Sequence, residues 1–266
     1  MTWRRLLRRT VILWNVAAPF AAIALVMSGL LWWALGLLMT GHALWLISTL
    51  IPACQWCGEV VTTLSQARGE KEPVGAESKE VWLTIDDGPH PEDTPRLLDL
   101  LDAHQARATF FFIGANAKKH RKLVRQVIKR GHEVANHTMN HPQYWYWAYG
   151  PGSAEREIDE CQKVLSDVAD VTPRWFRAPA GFKNPIVQQH VEKTGLRVAA
   201  WSARGHDGVV TDKERVLQRL YSEIQPGGII LMHEGRVADG GGRLAPQVLD
   251  ELLKWLGEKG YRCVVP

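Results

Sequence analysis

The chain has 266 residues, enough for one large domain or two smaller ones, with 32 basic and 28 acidic side chains and a formal net charge of +4. Residues 1–58 contain Arg4, Arg5, Arg8 and Arg9 and no acidic residue, so the remaining 32 − 4 = 28 basic side chains balance the 28 acidic ones. A near-neutral body lacks the basic face that nucleic acid requires, so no nucleic-acid partner is expected, and the arginine cluster suits an anionic membrane surface.

From residue 11 to residue 51 there is no Asp, Glu, Lys or Arg. At about 1.5 Å per residue this is roughly twice the length needed to cross a bilayer, and too long for a cleaved signal peptide with its apolar region of about 7–15 residues. Two spans are predicted, 11–27 and 30–51, with Ser28-Gly29 as the turn; the alternative is one span plus a helix lying in the interface. Trp3, Trp14, Trp32, Trp33, Trp45 and Trp56 crowd this segment, and those near its ends suit the interfacial belt. Asn15 and His42 are read as packing between the helices. If the arginines stay in the cytoplasm, two crossings return the rest of the chain to the cytoplasm, and one crossing leaves it outside. Cys54-Gln55-Trp56-Cys57 is a lone CxxC with Cys161 and Cys263 far away, and these read as ordinary thiols.

Residues 65–79, polar and without periodicity, read as a linker, giving an anchor at 1–64, the linker at 65–79 and a globular domain at 80–266. In that domain strand-type runs at 81–85, 108–113, 133–136, 175–177, 196–201, 229–232 and 261–264 alternate with helical patterns at 95–103, 119–130, 154–169, 185–194, 213–225 and 244–258. Such alternation requires crossover connections and a parallel sheet. Seven strands predict an α/β fold, a closed or nearly closed β/α barrel slightly smaller than the eightfold type, with its active site at the carboxyl ends of the strands. A doubly wound open sheet is the alternative.

The chemically suggestive residues fall at those ends. Asp86-Asp87 follows the first strand, and Gly88-Pro89 ends it so that both carboxylates approach one centre; one can bind metal while the other receives a proton. His137 and His141 are four apart, which on a helical turn puts both rings on one face. One Asp with two His leaves coordination positions open for water and substrate. Arg177 ends the fourth strand, Asp207 lies after the fifth and His233 follows the sixth. Hydrolysis of an unactivated amide needs a Lewis acid, a water and a base, and this set supplies them.

These residues resemble the five motifs of the polysaccharide deacetylase family (NodB-like, carbohydrate esterase family 4), over roughly residues 80–266. The resemblance implies a distorted (β/α)7 barrel, here preceded by an N-terminal transmembrane helical hairpin. It implies Asp86 as general base, with Asp87, His137 and His141 as metal ligands. Arg177, in Arg177-Ala178-Pro179-Ala180-Gly181, orients the base. The resemblance further implies His233, in Leu231-Met232-His233, as the general acid supported by Asp207, with Leu231 lining the acyl pocket. The fourth motif departs from the family's Trp-Ser-x-Asp-x-x-Asp-Trp: here Trp201-Ser202-Ala203-Arg204-Gly205-His206-Asp207-Gly208 puts Arg204 for the first aspartate and Gly208 for the pocket tryptophan. Arg204 is a candidate for a substrate phosphate or for a salt bridge to a neighbouring loop; His206 reads as a solvated loop residue.

The aromatic run 143–150, with Tyr144 and Trp145, is read as stacking on sugar rings, dipping into the bilayer or packing on a barrel loop. Gly240-Gly241-Gly242-Arg243 is read as a flexible loop in preference to a phosphate site. Pro179, Gly181, Trp201, Arg204, Leu231, Tyr144 and Trp145 form the expected substrate-binding set. Zn2+ is the expected metal, with Co2+ or Ni2+ compatible. The expected function is removal of the N-acetyl group from an N-acetylated sugar, on a polyprenyl phosphate or glycolipid, by an enzyme in the bacterial inner membrane whose catalytic domain faces the cytoplasm. The alternatives are an outward-facing cell-wall or exopolysaccharide deacetylase, a deformylase on a lipid-linked amino sugar, and an inactive glycan-binding barrel.

Overall fold

The computed structural model describes residues 3–70, 72–73, 78–143 and 145–266. Helices α1 (Trp3–Met27) and α2 (Leu31–Leu50) fold back on each other about Gly29, whose φ of 76° is open to glycine without strain. Trp14 Nε1 donates to the Leu37 carbonyl at 3.0 Å, and Asn15 Nδ2 donates to the Gly41 carbonyl at 3.2 Å. Both helices are long and apolar enough to cross a membrane. Their outer faces are bare: Phe20 is 73% exposed and Trp32 82%.

Beyond the hairpin come β1 (Val60–Val61), α3 (Leu64–Arg68), β2 (Glu80–Asp86), α4 (Asp93–Ala103), β3 (Ala108–Phe112), α5 (Gly114–Lys119), α6 (Arg121–Lys129) and β4 (Glu133–Asn136). They are followed by α7 (Ser153–Ala169), β5 (Trp175–Phe176), α8 (Pro185–Lys193), β6 (Arg197–Ala199), β7 (Ala203–Arg204), α9 (Lys213–Glu223), β8 (Ile229–His233), α10 (Leu244–Glu258) and β9 (Arg262–Cys263). The parallel sheet runs β1-β6-β5-β4-β3-β2-β8-β7, with β9 against the start of β2. Ala199 pairs near one end of this order, with Val61, and Ala203, four residues later, pairs at the other, with Ile230. Four residues cannot span an open sheet of that width, so the sheet curls until its edges nearly meet, as a distorted β/α barrel.

The period of two along each strand separates two cores. Phe111 joins Trp82, Ala135, Trp175 and Ile229 inside the barrel, while its neighbours Phe110 and Phe112 face the helices with Leu97, Leu101 and Val127. Inside, the Trp82 and Trp175 rings are 4.8 Å apart and Trp82 Nε1 donates to Thr109 Oγ1 at 2.8 Å.

Several sequence expectations change. The strand at 196–201 breaks and resumes as β7, because the chain crosses the seam of the barrel there. The helix at 119–130 is interrupted at His120, whose φ of −115° and ψ of 46° are not helical. The proposed linker begins as structure: Thr63 caps α3 by accepting from the Gln66 backbone N–H, and Leu64 is fully buried in the barrel interior. The barrel therefore starts near residue 60, a two-residue strand being too short to show alternation; residues 74–77 of that stretch lie outside the described residues. The arginine cluster is in part engaged with protein. Arg8 is 5% exposed, donates to the Cys57 carbonyl at 2.9 Å and pairs with Glu192 of α8 at 2.8 Å, while Arg4 donates to Gln55.

Candidate active site

Thr84 and Asp86, two apart on β2, point to the same side, and register sets Asp86 beside His233 on β8. Arg177, fully buried after β5, donates from Nη1 to Asp86 Oδ1 at 2.7 Å and to Thr84 Oγ1 at 2.9 Å. Its remaining nitrogens donate to the Ala199 and Ala200 carbonyls at 3.2 and 2.9 Å, and the guanidinium lies 4.1 Å over the Phe111 ring. Four of its five N–H groups are thus engaged, so the side chain holds one position and fixes Asp86 with it.

Asp87 turns back toward the barrel axis with a φ of 74°. His137 Nδ1 lies 2.8 Å from the Arg177 carbonyl, which leaves Nε2 to face Asp87 Oδ1 at 3.5 Å. His141 Nε2 is 3.3 Å from the same oxygen, and the three ligand atoms lie within 4.8 Å of one another. The two rings do not meet through a helical turn as spacing predicts. Thr138 and His141 have φ of 66° and 51°, and the loop doubles back with His141 N–H donating to Thr138 Oγ1 and Asn140 tied to Glu157.

The donor set fits a divalent cation. Asp87 Oδ1 is buried and has no hydrogen-bond partner among the described residues, an arrangement that is costly unless something positive completes it. Burial would raise the Asp87 carboxyl, yet the imidazoles of His137, His233 and His141 hold it well below the usual carboxylate range. Burial, and then His137, push His141 down to about 4, so at neutral pH the set is an ionised carboxylate with a neutral imidazole, as metal binding requires.

His233 stands beside this group. Its Nδ1 is 2.8 Å from Asp207 Oδ1, and its backbone N–H donates to Asp207 Oδ2 at 2.7 Å. Burial opposes its charged form, but Asp207 outweighs this and raises it to about 9. Asp86, Asp87, His137, His141 and His233 open onto a cleft of about 420 Å³, with Gly181, Trp201, Arg204 and Leu231 of the expected substrate set in its lining, while Arg177 and Asp207 are buried behind them.

Other expected residues lie elsewhere. Pro179 is buried outside the lining, and Trp145 is 68% exposed away from it. Tyr144 lies outside the described residues. The aromatic run packs: Tyr146 is fully buried against Phe176 and Tyr149, and Asn184 Nδ2 donates to the Trp147 and Tyr149 carbonyls. Arg243, after the three glycines, is taken up by buried Asp93, with Nη2 at 2.9 Å from Oδ2.

Leu50 and Pro52, at the end of α2, line the cleft together with His206 and Arg236, none of which the sequence marked as site residues, and with Gln143, the first residue of the aromatic run. Only tertiary docking brings the hairpin there. Gly181, at φ 74°, permits it: a Cβ would lie 2.6 Å from Trp201 and 2.7 Å from Pro52. Lys183 completes the contact, its Nζ 2.7 Å from the Pro52 carbonyl, and burial pulls its ammonium down to about 8.

The model of the polysaccharide deacetylase family matches residues 74–199. The chain is 37% identical over 162 residues to a chitooligosaccharide deacetylase of Sinorhizobium fredii, covering 60% of this chain and 74% of that protein. It is 33% identical over 217 residues to a peptidoglycan-N-acetylglucosamine deacetylase of Bacillus cereus, covering 74% of this chain and 94% of that one. Among solved structures it superposes on peptidoglycan deacetylase PdaC from Bacillus subtilis with a TM-score of 0.63 and 27% identity, covering 72% and 89% of the two chains. It superposes equally, at 0.63 and 25% identity, on a CE4 family pseudoenzyme from Bacillus anthracis, covering 71% of this chain and 64% of that one. The fold and the site define an amide hydrolase of the carbohydrate N-deacetylase class. The chain belongs to the polysaccharide deacetylase family.

Proposed function

We propose that this protein is a metal-dependent hydrolase that removes the N-acetyl group from an N-acetylated sugar carried on a polyprenyl phosphate or glycolipid, at the cytoplasmic face of the bacterial inner membrane. One juxtaposition carries the reading: Asp86 tied to Arg177 and His233 tied to Asp207 sit side by side on adjacent strands next to Asp87, His137 and His141.

Asp87, His137 and His141 are the residues that would hold the ion, and two imidazoles with a carboxylate suit zinc, with cobalt or nickel compatible. When bound, the metal supplies Lewis acidity at the amide carbonyl. Asp86 has Oδ1 committed to Arg177 and Oδ2 free to take a proton from the attacking water. As the water oxygen adds to the carbonyl carbon and the C–N bond breaks, His233 gives its Nε2 proton to the departing nitrogen, releasing a free amine and acetate. Asp207 keeps that ring charged and oriented. Leu231 and Trp201 bound the space for the acyl methyl group.

Leu50 and Pro52 support the lipid carrier, since the end of an apolar helix forms part of the cleft wall. The contacts of Arg4 and Arg8 with Gln55 and Cys57 bring both ends of the hairpin to the barrel, which favours two crossings with the arginines and the barrel on one side. A second reading, an outward-facing cell-wall deacetylase, draws on relatives named for chitooligosaccharide and peptidoglycan. Alkaline phosphatase fused after Pro266 separates the two: an inactive reporter supports the cytoplasmic reading, and an active one overturns it. Acetate release from an N-acetylhexosamine substrate, absent in Asp86→Asn, tests the reaction itself.

A further inference from the structure

We infer that the cleft contains an anion subsite, built by Arg204 and Arg236, that takes the phosphoryl group joining the sugar to its carrier; this rests on the lipid-linked reading above. The cleft carries unbalanced positive charge. Both carboxylates in the lining among the described residues have a cationic or imidazole neighbour, Asp86 with Arg177 and Asp87 with His137 and His141, and Asp207, buried behind His233, is paired with that ring. Arg243, the nearby arginine outside the cleft, is likewise paired, with Asp93. Arg204 and Arg236 both line the cleft and neither makes an ion pair among the described residues.

Arg204 is held in place without being neutralised. It ends β7 in register with Leu231, its backbone N–H donates to Glu223 at 2.9 Å, and its guanidinium rests 5.6 Å from the Trp201 ring. A guanidinium held beside a ring by cation–π attraction keeps its N–H donors free for a bidentate oxyanion. Arg236 follows His233 by three residues, is exposed and lines the same cleft. Gly208 carries no side chain between the cleft and the His233 ring; a Cβ there would touch the ring at 3.5 Å. The acyl amide at the catalytic groups, a phosphoryl group at the two arginines and an apolar carrier along Leu50 account for the three kinds of surface in one cleft.

The test uses the full chain in phosphatidylcholine vesicles and two substrates, an N-acetylglucosaminyl phosphodiester of a short prenyl alcohol and the neutral glycoside of the same alcohol. The expected result is a kcat/KM ratio favouring the phosphodiester by at least about tenfold, the scale of one charge-assisted contact. The preference shrinks as salt rises and falls by about tenfold in Arg204→Gln or Arg236→Gln, with Arg204→Lys intermediate. The ratio is internal to each variant, so partial loss of folded protein cancels. Equal turnover of the two lipids overturns the subsite and leaves the lipid-linked reading standing, whereas refusal of both lipids with turnover of chitotriose overturns that reading as well. If the variants lose binding to vesicles containing phosphatidylglycerol while keeping the phosphodiester preference, the arginines serve bilayer headgroups and the inference fails.

Discussion

His233 Nδ1 and Asp207 Oδ1 are 2.8 Å apart, with the second oxygen of the same aspartate accepting from the His233 backbone. The imidazole is therefore both aimed and kept charged by one carboxylate. Its pKa of about 9 lies above the unfolded value near 6.5, so the stability from this pair is complete below about pH 6.5 and is lost as pH rises through 9. The kcat/KM profile should show its alkaline limb near pH 9. In Asp207→Asn burial is opposed only by the weaker pull of Asp86 and Asp87, and the limb should move to lower pH; an unmoved limb assigns the proton donor to another group.

Asp86→Asn should lower kcat by about 10²–10⁴, the range for loss of a general base, while bound metal measured by elemental analysis stays at the wild-type level. Arg177→Met strips the partner from a buried carboxylate and should cost about 3–5 kcal/mol in addition to activity. Denaturant unfolding of the two variants side by side separates positioning from fold.

Asp87 Oδ1 has no hydrogen-bond partner among the described residues, so a bound ion should stabilise the fold as well as serve the reaction. At one hundred times the dissociation constant the gain is about 2.7 kcal/mol, which for a domain of this size raises Tm by roughly 5 °C or more. Dialysis against a chelator should remove this increment and the activity together, and Zn2+ should restore both. In Asp87→Asn, addition of Zn2+ should leave Tm unchanged; a full shift in that variant places the ion elsewhere.

Lys183 is the bolt between barrel and hairpin, donating to the Pro52 carbonyl at 2.7 Å. Lys183→Met should speed limited proteolysis across residues 51–58 several-fold and depress turnover of vesicle-embedded substrate more than that of a soluble oligosaccharide. An equal loss on both substrates would assign Lys183 to barrel stability alone.

Seven strands and the residues at their ends were legible because each feature is local: an apolar run, a following loop, a charged residue at the boundary. Asp86, Asp87, His137, His141, Arg177, Asp207 and His233 converge although they span about 150 positions, since parallel strands deliver their carboxyl ends to one rim. The backbone of 137–142 was not legible, because two residues with positive φ replace the turn that four-residue spacing suggests. Val60–Val61 is too short to carry a pattern, and its membership of the sheet depends on pairing with β6 more than 130 positions away. The roles of Leu50, Pro52 and Arg236 in the cleft arise from docking, which leaves no periodic trace. The aromatic run was ambiguous for a related reason: buried Tyr146 and exposed Trp145 are adjacent and chemically alike.

The seating of the hairpin on the barrel changes what a shortened protein would be. A version starting at residue 58 would keep every strand, yet it would strip Leu50 and Pro52 from the cleft wall, take away the Ile51 and Pro52 carbonyls that accept from Lys183 and open one side of the catalytic chamber to bulk water. Such a truncate is a different catalyst with a wider entrance, and its preferences among sugars should not be read back onto the parent.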